Sequence, residues 1–215
     1  MSETVVVVDY GAGNLQSVAN ALGVAAGVGG GVAVEVSGDP AVIAGAGRVV
    51  LPGVGAFGQC IGALRARDGV EAALTEAVLG RGVPFLGICV GMQLLATVGH
   101  EHGIHRGLEW IDGSVERMTP GDAALKIPHM GWNTIARADA GHVALAKLPL
   151  AGSGYFVHSY HFAVDRPEQV LATTDYGQAV AAIVGRDNIL GVQFHPEKSQ
   201  AYGLAFLRGF LEWRP

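Results

Sequence analysis

Val83-Pro84-Phe85-Leu86-Gly87-Ile88-Cys89-Val90-Gly91-Met92-Gln93-Leu94-Leu95 is the stretch whose reading decides the fold. Val83 to Leu86 is a short apolar run, and Met92, Leu95 and Ala96 recur after it at helical spacing. Such a pattern predicts a buried strand, a tight turn and a helix. The turn carries a lone thiol, Cys89, flanked by Gly87 and Gly91. A nucleophile elbow has this layout, with small neighbours because its backbone is strained and crowded. A helix starting just after Cys89 would aim free N–H groups and its positive end at the sulfur, which favours the thiolate.

Working outward, Thr4 to Asp9 reads as a buried strand, since it is β-branched and uninterrupted. A turn through Tyr10-Gly11-Ala12-Gly13-Asn14 follows, with Asn14 placed to cap a helix whose apolar face is Leu15, Val18, Ala19 and Leu22. Gly27–Gly31 is a glycine-rich connector, Val32–Val36 a second strand, and Asp39-Pro40 opens a short helix. Arg48–Leu51 is a third strand, ending in Pro52-Gly53-Val54-Gly55. Helices over Ala56–Arg67 and Gly69–Leu79 lead back to the elbow. This alternation predicts an α/β fold in three layers, a mostly parallel central sheet with helices on both faces. After Gly103 the pattern turns to short strands: Leu108–Met118, Leu125–Ile135, Val143–Leu148, Tyr155–Val164, Gln169–Asp175 and Gln178–Val184. These add antiparallel strands to the C-terminal half. Ile189–Phe194 is one more strand, and Ser199–Trp213 a closing helix.

Half of the 215 residues are hydrophobic and 15% are charged, enough apolar side chain for one sizeable core, so residues 1–215 read as a single domain. A net charge of −5 argues against a nucleic-acid or anionic-membrane partner. Two cysteines without framework spacing suit a reducing compartment. The acidic, polar start before Val5 resembles neither a signal peptide nor a membrane span, so a cytoplasmic protein is expected.

A cysteine nucleophile needs a base, and the base an orienting group. Eight histidines are present, so the type alone says little. His195 is distinguished by its place at the carboxyl end of a predicted strand, as Cys89 is. Glu197, two residues on, falls on the same side of an extended segment. The bland alternative stands beside this: Cys89 as a small buried hydrophobe and His195 as a turn residue. Pro52-Gly53-Val54-Gly55 can aim backbone N–H groups at an oxyanion, or be an ordinary turn after a strand.

In Pro52–Gly55, Gly87–Leu95 and Gly191-Val192-Gln193-Phe194-His195-Pro196-Glu197, in that order, the chain resembles the class I (triad-type) glutamine amidotransferases over essentially its whole length. The resemblance implies a Cys89–His195–Glu197 triad that hydrolyses the side-chain amide of L-glutamine and releases ammonia, with no cofactor and no metal. It places Gln93 and Glu101 on the substrate's head group and the backbone around Ser159, Tyr160 and His161 on its carboxylate. The Val90 N–H and an N–H from Gly53-Val54 would form the oxyanion hole. Narrower features are Asp9-Tyr10-Gly11-Ala12-Gly13-Asn14-Leu15, Ile127-Pro128-His129-Met130-Gly131-Trp132-Asn133, Tyr155-Phe156-Val157-His158-Ser159-Tyr160, and Lys198 directly after Glu197. Within the family these imply a partner subunit, a (βα)8-barrel cyclase that consumes the ammonia, faced by Asn14, Trp132, Tyr155 and Lys198. By residue type alone, Trp132 and Tyr155 would be core. The chain departs from the family in its longer Gly27–Gly31 connector and in His102, where a second acid is common after Glu101.

Two other clusters compete for attention. His100, Glu101, His102 and His105 match no standard zinc spacing and read as a solvated loop. Gly11-Ala12-Gly13 lacks the third glycine of a dinucleotide turn.

Overall fold

Val5 to Val8 have no solvent exposure in the computed structural model, which describes residues 3–27, 31–122, 124–138, 142–146, 148 and 151–215. They lie in β1 (Glu3–Val8), covered on both faces as an unbroken β-branched run demands. Along the chain follow α1 (Leu15–Ala26), β2 (Val32–Ser37), α2 (Pro40–Ala44), β3 (Arg48–Gly53), α3 (Phe57–Ala66) and α4 (Val70–Thr75), then β4 (Phe85–Cys89) and α5 (Val90–Gln93). The second half contributes β5 (Val98–Gly99), β6 (His105–Arg106), β7 (Gly113–Arg117), β8 (His129–Arg137), β9 (Ala151–His158), β10 (Tyr160–Val164), β11 (Val170–Asp175), β12 (Ala179–Arg186), β13 (Ile189–Val192) and α6 (Gln200–Glu212).

One sheet has nine strands in the order β2-β1-β3-β4-β13-β12-β11-β8-β9. Its first five strands run parallel and the rest continue it antiparallel. The path from β1 to β2 runs one way across the sheet, and the path from β2 to β3 reverses it. With right-handed crossovers, α1 and α2 therefore fall on opposite faces. α1 packs with α6, and α2 with α4. A second sheet, β10-β7-β5-β6, sits beside the elbow. Gly53 pairs with Cys89, and Val192 with Ile88. The carboxyl ends of β3, β4 and β13 thus open on one place, where ligands of such sheets bind. Among the described residues, no helix is long and apolar enough to cross a membrane.

Several sequence expectations need correction. Among its described residues, 143–146 and 148, the stretch Val143–Leu148 is not a strand: Val143–Leu145 forms a single 3-10 turn, with the Ala144 N–H donating to His142 Nδ1. Tyr155–Val164 is two strands broken at Ser159, because β9 pairs with β8 while β10 crosses to β7 in the second sheet. Leu125–Ile135 forms strand only from His129, after Pro128, which has no N–H to give a ladder. Leu108–Ile111 is not strand either. The Leu108, Trp110 and Ile111 N–H groups donate to the Leu94 and Leu95 carbonyls, and this capping stops α5 after one turn. Gly69–Leu79 is helical, but widens to a π turn over Glu76–Gly80. Asn14 precedes α1 without a side-chain cap, whereas Asp39 caps α2 by accepting from the Ala41 N–H at 2.8 Å. In the Gly27–Gly31 connector, residues 28–30 lie outside the described residues.

A methyl added at Gly91 would stand 1.8 Å from the Leu51 carbonyl oxygen. Gly91→Ala is therefore expected to destabilise by at least about 3 kcal/mol, read as a lowered thermal midpoint or loss of soluble protein. Gly62, exposed inside α3 with open space around it, makes the control: Gly62→Ala should stabilise by about 0.5–1 kcal/mol.

Candidate active site

Cys89 ends β4 with φ 55° and ψ −111°, a conformation that L-residues avoid and that costs about 1–3 kcal/mol. Its neighbours show why it is tolerated. A Cβ on Gly87 would meet the Gly91 carbonyl at 2.5 Å, and one on Gly53 would meet the Gly91 nitrogen at 2.7 Å. Backbone therefore packs on backbone around the sulfur, which is 4% exposed as a residue. The helix expected behind Cys89 is one turn long. What it offers is first-turn N–H groups, not a macrodipole.

His195 follows the end of β13 and is held from both sides. Its N–H donates to the Tyr155 carbonyl at 2.9 Å. The Ser199 hydroxyl donates to the His195 carbonyl at 2.6 Å and accepts from the Tyr155 N–H at 2.9 Å. Glu197 Oε1 lies 2.8 Å from His195 Nδ1, with the Glu197 side chain 1% exposed. His195 Nε2 is buried without a hydrogen-bond partner of good geometry. Burial lowers the His195 pKa, but interactions with Cys89 and with Glu197 outweigh it and raise it to about 9. Cys89, His195 and Glu197, proposed from spacing and resemblance, are thus brought together.

A cleft of about 230 Å³ opens over this cluster. Gln93, Glu101, Ser159 and Tyr160 line it, as do Val54 and Val90. His161 does not: its ring meets the Gln178 amide at 3.2 Å instead. Gln93 Nε2 donates to the Tyr160 carbonyl and to Gln193 Oε1, both at 3.0 Å. Gln193, fully buried, in turn points Nε2 at the Cys89 sulfur at 3.7 Å. The sequence reading gave Gln193 no role, although it stands two residues before His195 and so on the same side of the extended chain.

The Pro52–Gly55 loop is held by residues also missed. The Tyr10 hydroxyl donates to the Pro52 carbonyl at 2.8 Å, and Cys60 Sγ lies 3.3 Å from the Val54 carbonyl. Burial pushes the pKa of both up, so both remain neutral donors. Glu101 Oε2 accepts from the Phe57 N–H at 2.8 Å, fixing the start of α3 just beyond the loop. These ties bracket the Gly53–Val54 peptide on both sides. The Gly11–Gly13 turn serves the same loop: a Cβ on Gly13 would meet Pro52 Cβ at 3.0 Å. Among the described residues no group of three His, Cys, Asp or Glu side chains is arranged to hold a metal ion.

Outside the cleft, Met130 and Trp132 stand exposed on one face of β8. Trp132 packs edge-on to Tyr155 at 6.0 Å, and Lys198, which also lines the cleft, has its Nζ 5.7 Å from the Tyr155 ring centre. Asn14 precedes α1, which packs against the Pro196–Lys198 turn.

A profile of the family described as glutamine amidotransferase class-I matches residues 6–212. The imidazole glycerol phosphate synthase subunit HisH of Zymomonas mobilis is 55% identical over 217 residues, covering 100% of this chain and 98% of that protein. The subunit of the same name from Rhodospirillum rubrum is 53% identical over 213 residues, covering 98% and 99%. A crystal structure described as a glutamine amidotransferase superposes with a TM-score of 0.72 at 20% identity, covering 96% of this chain and 97% of that one. At that identity the likeness is one of fold.

A raised His195 pKa stabilises the fold below the ordinary value of 6.5, and that contribution is lost as the pH climbs through about 9. Between pH 7 and 9.5 the thermal midpoint of the wild-type chain should therefore fall further than that of His195→Gln. Cys89→Ala removes one of the two groups that favour the imidazolium. NMR titration of His195 should then give a pKa below the wild-type value, and no change would take Cys89 out of its neighbourhood.

Proposed function

Since the chain belongs to the class-I glutamine amidotransferase family, we propose that it is the glutaminase subunit of an imidazole glycerol phosphate synthase, working as one domain. The observation that carries the chemistry is the buried His195–Glu197 pair, 2.8 Å apart, beside a strained cysteine in a cleft of about 230 Å³. Glu197 holds the imidazole in orientation, and the Cys89 thiolate attacks the δ-carbonyl carbon of glutamine. The oxyanion forms against the N–H groups of Val90 and of the Gly53-Val54 peptide. His195 protonates the departing ammonia, leaving a thioester. It then takes a proton from water, which attacks the thioester and releases glutamate and the free thiol.

Substrate roles follow from what each side chain has left to offer. Both Nε2 hydrogens of Gln93 are engaged on Tyr160 and Gln193. Its Oε1 is left as an acceptor suited to the substrate's α-ammonium group, alongside the Glu101 carboxylate. Backbone of Ser159, Tyr160 and His161 takes the α-carboxylate.

The partner on this reading is a (βα)8-barrel cyclase that uses the ammonia to make imidazole glycerol phosphate and AICAR from PRFAR in histidine biosynthesis, in the cytoplasm. Ammonia must cross unprotonated, so the two subunits have to seal the site against water. The face formed by exposed Met130, Trp132 and Lys198 with half-buried Tyr155 supports this docking, because the Tyr155 carbonyl accepts a hydrogen bond from the His195 backbone N–H. Two rivals are weaker. A glutaminase feeding pyridoxal phosphate synthesis would lack the Met130-Gly131-Trp132-Asn133 segment. A catalytically silent subunit would not keep Cys89, His195 and Glu197 together.

Mixed with the cyclase, the Cys89→Ala chain should lose glutamine-dependent synthesis by at least about 1,000-fold while ammonia-driven synthesis and complex formation persist. Loss of the ammonia-driven reaction as well would make Cys89 structural. Trp132→Ala or Lys198→Ala should lower the yield of product per glutamine hydrolysed by about tenfold. Unchanged coupling would take that face out of the interface.

A further inference from the structure

Two histidines that the catalytic chemistry leaves unused form a buried pair that runs from the cleft wall, where His158 is a lining residue, toward the exposed face of β8. His129 and His158 stand opposite each other on β8 and β9, 2% and 7% exposed. A chain of short polar contacts runs through them. His158 Nδ1 lies 2.9 Å from the Tyr160 carbonyl, the same oxygen that accepts from Gln93. His158 Nε2 lies 3.0 Å from His129 Nδ1, and His129 Nε2 lies 3.3 Å from Asn133 Nδ2. Asn133 Nδ2 also donates to the Asp175 carbonyl at 2.8 Å, while its Oδ1 accepts from the Thr134 N–H.

The direction of every hydrogen bond in this chain follows from its ends. A carbonyl only accepts, so His158 Nδ1 carries the hydrogen. Burial lowers the pKa of His158 to about 3 and of His129 to about 4, so both rings are neutral near pH 7. Neutral His158 then presents a bare Nε2, which must accept from a His129 Nδ1–H. Neutral His129 presents a bare Nε2 to the Asn133 amide. Donation therefore runs one way, from Asn133 through His129 and His158 to the Tyr160 carbonyl. The His129 ring is clamped between Phe156 and Tyr176, with centroids 4.8 Å and 4.0 Å away.

We propose that Asn133, His129 and His158 are positioning residues: a one-directional hydrogen-bond chain that fixes the Tyr160 carbonyl, and through it Gln93, and ties both to the strand that carries Met130 and Trp132 outward. The proposal rests on the glutaminase reading above and adds to it how the partner-facing strand is joined to the substrate head-group site. Broken in the middle, the chain leaves a buried acceptor unsatisfied and the Tyr160 carbonyl free to turn.

Long-range proton–nitrogen NMR correlation on the full wild-type chain tests the geometry directly. Both rings should be the Nδ1–H tautomer at pH 7 and remain neutral down to about pH 5. An Nε2–H form of either ring, or protonation at pH 6, overturns the proposal. Kinetics of the complex with the cyclase test the role. His129→Phe keeps the ring stack, and His158→Leu removes the donor to Tyr160. Each should raise KM for glutamine by about tenfold with kcat changed less and the ammonia-driven reaction unchanged. His158→Asn, whose amide reaches the place of Nδ1, should recover most of the loss. An active wild type with indifferent His129→Phe and His158→Leu variants overturns the proposal alone. A wild-type complex that cannot hydrolyse glutamine overturns the functional reading and the proposal together.

Discussion

The contact between the Leu51 carbonyl and Gly91 is the constraint on which the site depends. It brings β3 and the elbow after β4 so close that no side chain fits between them. That approach sets the Gly53 backbone against Gly91 and forces Cys89 into a positive φ. The strain is held by buried strands on both sides, with every residue of β3 and β4 out of water. Strain of this kind persists only where the surroundings over-determine it.

Burial alone does not decide which groups in the site carry charge. His129, His158 and His195 are all buried, yet the first two are pushed towards neutrality and the third is raised to about 9. Their partners make the difference. His195 faces a carboxylate and a thiol, whereas His129 and His158 face each other, an amide and a carbonyl. The Tyr10 hydroxyl and the Cys60 thiol follow the same rule and stay neutral. The result is a His195–Glu197 pair beside Cys89, with the neutral donors Tyr10 and Cys60 and the Glu101 carboxylate holding the loop in place. In a low-dielectric site such an arrangement concentrates electrostatic effect beside Cys89.

Ser159 marks the second organising point. There the chain leaves the large sheet for the small one, so β9 and β10 cover the cleft from two directions. β9 therefore touches everything that matters. Its Tyr155 backbone holds His195, its Tyr155 ring meets Trp132 and Lys198, and its His158 reaches the Tyr160 carbonyl.

Local pattern was enough to read the parallel half of the fold and the elbow, while the grouping of Cys89 with His195 and Glu197 came with the family resemblance. Apolar runs, flanking glycines and a two-residue spacing are properties of a few consecutive residues, and strand and turn geometry follow from them directly. The antiparallel half was read less well. Val143–Leu148, Leu108–Ile111 and the break at Ser159 are decided by which distant strand or carbonyl is available to pair, and that is not written in a short window. Gln193, Tyr10 and the His129–His158 pair were missed as site residues for the same reason. Each is an ordinary residue type whose role comes from the group it faces, separated by 104, 42 and 29 positions from that group. Sequence alone determined the glycine-flanked elbow at Cys89, the His195-x-Glu197 strand end and the sheet that carries them. Only the tertiary structure decided which neutral donors surround them, because a hydrogen bond between distant residues depends on the packing of both.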